Sequence, residues 1–164
     1  MRIRCPEDER GEVRDLQEVV RCMFSDLRGV VSTLQKTQPL DLEHFLAHLA
    51  EQVATPRIHV NFSGPVPFQD SARNHALLRC TQELVTNCLK HAKALNLWVS
   101  VTCSPESVYL IFRDDGQGAS PLMEGHGLAG LRDRLAAFGG RLDIHPGPPG
   151  FQARAWIPGP GGAA

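Results

Sequence analysis

Between Asp114 and Gly130 the chain reads DDGQGASPLMEGHGLAG, and Gly116, Gly118, Gly125, Gly127 and Gly130 supply five glycines. The apolar run VYLIF leads into this stretch and the helical pattern LAGLRDRLAAF leads out of it. A glycine-rich segment between a strand and a helix limits what can be built around it. Glycine accepts positive φ and lets another backbone or a ligand come close. Unpaired N–H groups and the helix dipole at such a junction favour an anion, a polyphosphate above all. The carboxylates of Asp114 and Asp115 do not suit a bare phosphate loop. They imply a second task, such as accepting an N–H from a base or holding a metal.

The segments around this stretch predict the architecture. Residues 1–11 are charged and carry no apolar pattern. From Glu12 to about Lys36, apolar residues from Leu16 to Leu34 recur at spacings of three and four, one stripe of a helix. That stripe buries either against its own domain or against a partner helix, and the second choice makes a homodimer through residues 12–36. After Pro39 a short helix begins, with Asp41 as its cap and Leu42, Phe45, Leu46 and Leu49 on its inner side. RIHVNF at 57–62 alternates as a strand. Asp70 or Ser71 caps a long helix from about Ala72 to Ala94, broken at Asn96. Leu97–Cys103 and Ser107–Arg113 read as strands joined by a hairpin. A helix over Leu128–Phe138 stops at Gly139-Gly140, and Arg141–His145 and Phe151–Trp156 make a last hairpin around PGPPG. Hairpin-joined strands interspersed with helices predict an α+β two-layer sandwich, a mixed, mostly antiparallel sheet covered on one face by helices. The expected organisation is a helical segment at 1–38, a domain at 39–158 and a disordered tail at 159–164.

Composition removes several function classes. Lys+Arg 17 against Asp+Glu 18 leaves no field for nucleic acid. The five cysteines are odd in number and form no C-x-x-C pair, so neither a disulfide framework nor a zinc ribbon is indicated. Buried thiols in a reducing cytosol account for them. No apolar run approaches the roughly 18 residues of a membrane span, and the charged N-terminus lacks a signal-peptide core. The expectation is a cytoplasmic chain without membrane contact; in a membrane receptor the anchor would lie elsewhere.

The long helix carries the second half of the chemistry. Glu83, Asn87 and Lys90, spaced by four and then three, fall on one polar face, with His91 beside them, while Leu84, Cys88 and Leu89 make the apolar side. An acid, an amide oxygen and an ammonium in a row suit a hydrated Mg²⁺ and a polyphosphate, because Mg²⁺ takes oxygen ligands, keeps waters and bridges phosphates. Lys90 would act on phosphate as a point charge.

Taken together, E-x-x-x-N-x-x-K-H-A, D-x-G-x-G and G-x-G-L in this order resemble the ATP-binding catalytic domain of sensor histidine kinases, in the GHKL superfamily with the gyrase and MutL ATPases. QELVTNCLKHAKA, FRDDGQGA and GHGLAGLRDRLAAFGGRLDI are similar to the subfamily of the nitrate/nitrite-sensor and DesK-like kinases. The resemblance covers about residues 40–158, more loosely 12–36. It implies ATP and Mg²⁺ as cofactors and γ-phosphoryl transfer as the reaction, with a phospho-acceptor histidine segment and a response regulator as partners. Asn87 would bind Mg²⁺, and Glu83 would polarise the attacking group or order the metal's water. Lys90 and His91 would lie along the phosphates. Asp114 would accept the adenine amine, and Gly116 and Gly118 would let adenine rest on the backbone. Gly125, Gly127 and Leu128 would form the phosphate-facing turn of the lid and the start of the next helix. One departure stands out: no H-[DE] pair precedes residue 40, the first histidine being His44. The resemblance therefore implies an acceptor histidine outside this chain, or else a stand-alone module, such as an anti-sigma-like serine kinase or a nucleotide-binding interaction domain.

Overall fold

The computed structural model describes residues 42–67, 70–118, 126–147 and 150–159. The stripe at 12–36, the Asp41 cap, Gly125 and the tail beyond 159 lie outside the described residues. The described elements run α1 (Leu42–Gln52), β1 (Arg57–Ser63), α2 (Ser71–Asn87) continued by a π turn (Cys88–Ala92), β2 (Asn96–Ser104), β3 (Ser107–Asp114), α3 (His126–Ala136), β4 (Arg141–His145) and β5 (Gln152–Pro158).

Five strands form one sheet in the order β1-β2-β3-β5-β4. β2–β3 and β4–β5 are antiparallel hairpins, as their short turns demand, and β3 also pairs antiparallel with β5. β1 and β2 are parallel, a pairing that needs a long crossover, and α2 with its π turn provides it. The result is the expected α+β sandwich with a mixed, mostly antiparallel sheet.

Alternation along the strands decides the two faces. Leu97, Val99 and Val101 of β2, Val108, Leu110 and Phe112 of β3, and Ala153, Ala155 and Ile157 of β5 are all buried on one face. Against that face α1 packs on β1, α2 on β5, and α3 on β4 and β5. Each helix brings an apolar stripe: Leu42, Phe45, Leu46 and Leu49 from α1, Leu77, Leu84 and Val85 from α2, Leu128, Leu131 and Leu135 from α3.

Helix ends position the site. Asp70 is the N-cap of α2, its carboxylate accepting the Ala72 N–H at 2.8 Å. The far end differs from the expectation. The α-helix stops at Asn87, the π turn carries the chain to Ala92, and Lys93 at φ 51° in the left-handed region ends it. Asn96 is not the breaker but the first residue of β2.

Candidate functional site

Asp114 is the last residue of β3, on the buried face, and is 2% exposed. Its Oδ1 accepts the Gly116 N–H at 2.9 Å and the Phe151 N–H at 3.2 Å. Both backbone donors go to Oδ1, and the Cys88 side chain is hydrogen-bonded to the same carboxyl group. The Asp114 N–H in turn donates to the Phe151 carbonyl at 3.1 Å. Gly150 comes so close that a Cβ there would fall on the Asp114 carbonyl oxygen. The buried thiol of Cys88 is pushed up to about 12, by burial first and then by the Asp114 carboxylate beside it, so it is protonated at neutral pH.

Asp115 is exposed and does something else. Its Oδ1 accepts the Leu95 and Asn96 N–H groups, each at 2.8 Å, and its Oδ2 accepts the Asn96 side-chain amide at 2.8 Å. The Asn96 amide above all, with these backbone groups, holds its carboxyl below the usual carboxylate range. Asp115 thus clamps the start of β2 to the end of β3.

The glycine stretch begins against the π turn. A Cβ on Gly116 would overlap the Ala92 carbonyl oxygen, and the Gln117 N–H donates to that same carbonyl at 3.0 Å. Gly118, at φ 70°, lies against Gly147 of the β4–β5 turn. At the other end of the stretch, Gly127 in the first turn of α3 faces Glu83, whose carboxylate occupies the place a Cβ would take. Leu128 turns its side chain into the core at 7% exposure, so only its backbone can serve a ligand.

The structure therefore joins Glu83 to Gly127, the π turn to Gly116, and Asp114 to Gly116 and the Gly150-Phe151 pair. Glu83 and Asn87 are half-buried on α2; Lys90 and His91 are exposed. The spacing that aligned Glu83, Asn87 and Lys90 assumed an α-helix throughout. From Cys88 to Ala92 the chain is a π turn, so that spacing does not by itself fix where Lys90 lies relative to Glu83 and Asn87. Local patterning gives Gly150 and Phe151 only as turn and strand; the signal for their part in the site is a glycine at the mouth of the strand that returns beside Asp114. Among the described residues no three His, Cys, Asp or Glu side chains cluster as a metal cage. A Mg²⁺ held by an amide oxygen, phosphates and waters does not require one.

Residues 72–161, more than half of the chain, match the family model described as histidine kinase-, DNA gyrase B-, and HSP90-like ATPase. The chain belongs to that ATPase family. As a member it is an ATP-binding domain, and the buried Asp114, the Glu83–Gly127 contact and the glycine stretch lie in the segments that the family match covers. Among curated relatives of this histidine kinase-, gyrase B- and HSP90-like ATPase, the sensor histidine kinase YvfT of Bacillus subtilis is 25% identical over 142 residues, 85% of this chain and 38% of the relative. The sensor histidine kinase DesK of the same organism is 27% identical over 142 residues, again 85% of this chain and 38% of the relative. The chain thus spans well under half the length of these relatives. The solved histidine kinase domain of the Erythrobacter litoralis EL346 blue-light activated histidine kinase superposes with a TM-score of 0.57 at 20% identity, over 72% of this chain and 65% of that one, a likeness of fold.

Proposed function

We propose that this chain is the ATP-binding catalytic domain of a two-component sensor histidine kinase, which transfers the γ-phosphate of Mg²⁺-ATP to a histidine on a dimerisation helix not contained in it. The observation that carries this reading is the Asp114 carboxyl group, buried at the end of β3 and oriented by two backbone N–H groups on Oδ1; it would accept the adenine amine. Gly116 and Gly118 would carry the base along their backbones. Asn87 would offer its amide oxygen to Mg²⁺, which when bound would neutralise phosphate charge and orient the γ-phosphate. Glu83, held against the first turn of α3, would polarise the attacking imidazole or order a water. Lys90 and His91 would reach the phosphates from the exposed side of the π turn, and the backbone of Gly125, Gly127 and Leu128 would face them from the lid and the α3 N-terminus. Phosphoryl transfer needs positioning and charge neutralisation more than covalent chemistry, and these are what such residues supply. A response regulator would take the phosphate onward, residues 12–36 would make a homodimer, and the domain would work in the cytoplasm. Among the described residues no helix is long and apolar enough to cross a membrane.

The test is calorimetric. Asp114→Asn should weaken ATP binding by about 1–3 kcal/mol, the cost of mispairing a buried polar group. Asn87→Ala should remove the Mg²⁺ dependence of ATP affinity. ATP affinities in both variants equal to wild type, with and without Mg²⁺, would overturn the assignment.

A further inference from the structure

The sheet face turned away from the helices is not the polar surface of an ordinary solvated sheet. Register places Trp98 opposite Arg113, Ile111 opposite Arg154, and Tyr109 opposite Trp156, which has Arg141 on its other side. Trp98, Tyr109 and Ile111 are 39%, 44% and 36% exposed, a contiguous apolar group where an antiparallel sheet facing water carries polar side chains. The same face gathers charge of one sign. Among the described strands it presents Arg57, Arg113, Arg141 and Arg154 against Asp143 alone, 3.7 Å from Arg141, although the whole chain has a net charge of -1. Asp115, at its margin, is engaged with Leu95 and Asn96.

Basic and aromatic residues on a sheet also suit single-stranded nucleic acid, but only where ring faces are open for stacking. Here both indoles are already partnered. The His59 ring stacks on Trp98 with centroids 5.6 Å apart, Arg113 lies over the same indole at 5.9 Å, and Arg141 lies over Trp156 at 5.5 Å. Aromatic and arginine side chains packed on one another are instead the composition of protein interfaces. We propose that this face docks a partner protein through a segment whose apolar side chains are set among carboxylates. Arg113, Arg141 and Arg154 pair with the carboxylates while Trp98, Ile111 and Tyr109 cover the apolar groups. The proposal does not rest on nucleotide binding, which the reading above assigns to the helix-covered side of the sheet.

Both tryptophans of the chain, Trp98 and Trp156, lie on this face, so intrinsic emission reports on it. The full chain is titrated, without ATP, with a synthetic peptide alternating Glu and Leu, with the same peptide carrying Lys for Glu, and with an oligothymidylate. The expected result is a saturable blue shift with the Glu peptide alone, weakening as salt rises. Arg154→Glu should lower that association constant by about tenfold or more, and Tyr109→Ser should lower it too, both with ATP affinity unchanged as proof of folding. The proposal is overturned by no shift with the Glu peptide, by an equal response to the Lys peptide, by binding of the oligothymidylate instead, by wild-type affinity in Arg154→Glu, or by emission that varies with protein concentration alone, which would mean a second copy covers the face.

Discussion

Asp114 and Asp115 are neighbours of one residue type, and strand alternation sends them to opposite tasks. Asp114 points inward to a site; Asp115 points outward and ties two strand ends together through three short hydrogen bonds. The downward shift of the Asp115 carboxyl is a statement about stability. A carboxyl whose folded pKa lies below its unfolded value stabilises the fold fully above the unfolded value, near 3.8, and loses that contribution as pH falls through the folded one. Asp115→Ala should therefore lower the urea midpoint at pH 7, and the gap from wild type should close as the medium is taken below about pH 3.8. A gap that is the same at pH 7 and pH 3 would deny the clamp its ionised carboxylate. Gly116 belongs to this scale as well. A methyl group there meets the Ala92 carbonyl oxygen, which is backbone and cannot swing away. Gly116→Ala should separate the glycine stretch from the π turn, lowering both thermal stability and ATP affinity, and differential scanning and titration calorimetry read the two effects.

The end of the crossover helix shows what an element can do that its residues do not announce. Lys93 sits at φ 51°, a conformation that costs an L-residue about 1–2 kcal/mol. Glycine is the usual residue at such a helix end. Lys93→Gly should leave ATP affinity alone and raise stability by up to about 1 kcal/mol, part of the relief being offset by the entropy glycine loses on folding; a fall in the unfolding midpoint would mean that the Lys93 side chain holds something the backbone argument omits. This helix end also marks the limit of what could be read in the sequence. The strands at 57, 97, 107 and 141 were legible because alternation and turn residues are local signals. The helix through 71–87 was legible because Leu77, Leu84 and Val85 recur at helical spacing. The π turn was not, since Cys88 and Ala92 keep an apolar spacing that an α-helix also satisfies. The parallel pairing of β1 with β2 and the insertion of β5 between β3 and β4 are contacts between distant segments, on which local propensity is silent. For the same reason Asp114 was found as a candidate, while the Gly150-Phe151 backbone that orients it was not.

At the scale of the whole molecule, one sheet separates two surfaces of different character. The helix-covered face ends in a buried carboxylate, a polar helix edge and a glycine stretch; the open face is aromatic and basic. A ligand that binds only the folded chain raises its stability by an amount set by concentration and affinity, about 2.7 kcal/mol at a hundredfold excess over Kd. For a domain near this size that corresponds to a rise in Tm of roughly 5–10 °C, at about 2–4 °C per kcal/mol. Wild-type protein with Mg²⁺-ATP should show this rise. Asp114→Asn should show much less of it at the same ATP concentration, because its Kd is larger. Arg154→Glu, altered on the opposite face and sharing no partner with Asp114, should show all of it, since changes at sites without common contacts add. A reduced shift in Arg154→Glu whose Tm without ATP equals wild type would mean that a change on the open face is felt at the nucleotide site, and the sheet would then have to be treated as a coupling element and not as a wall.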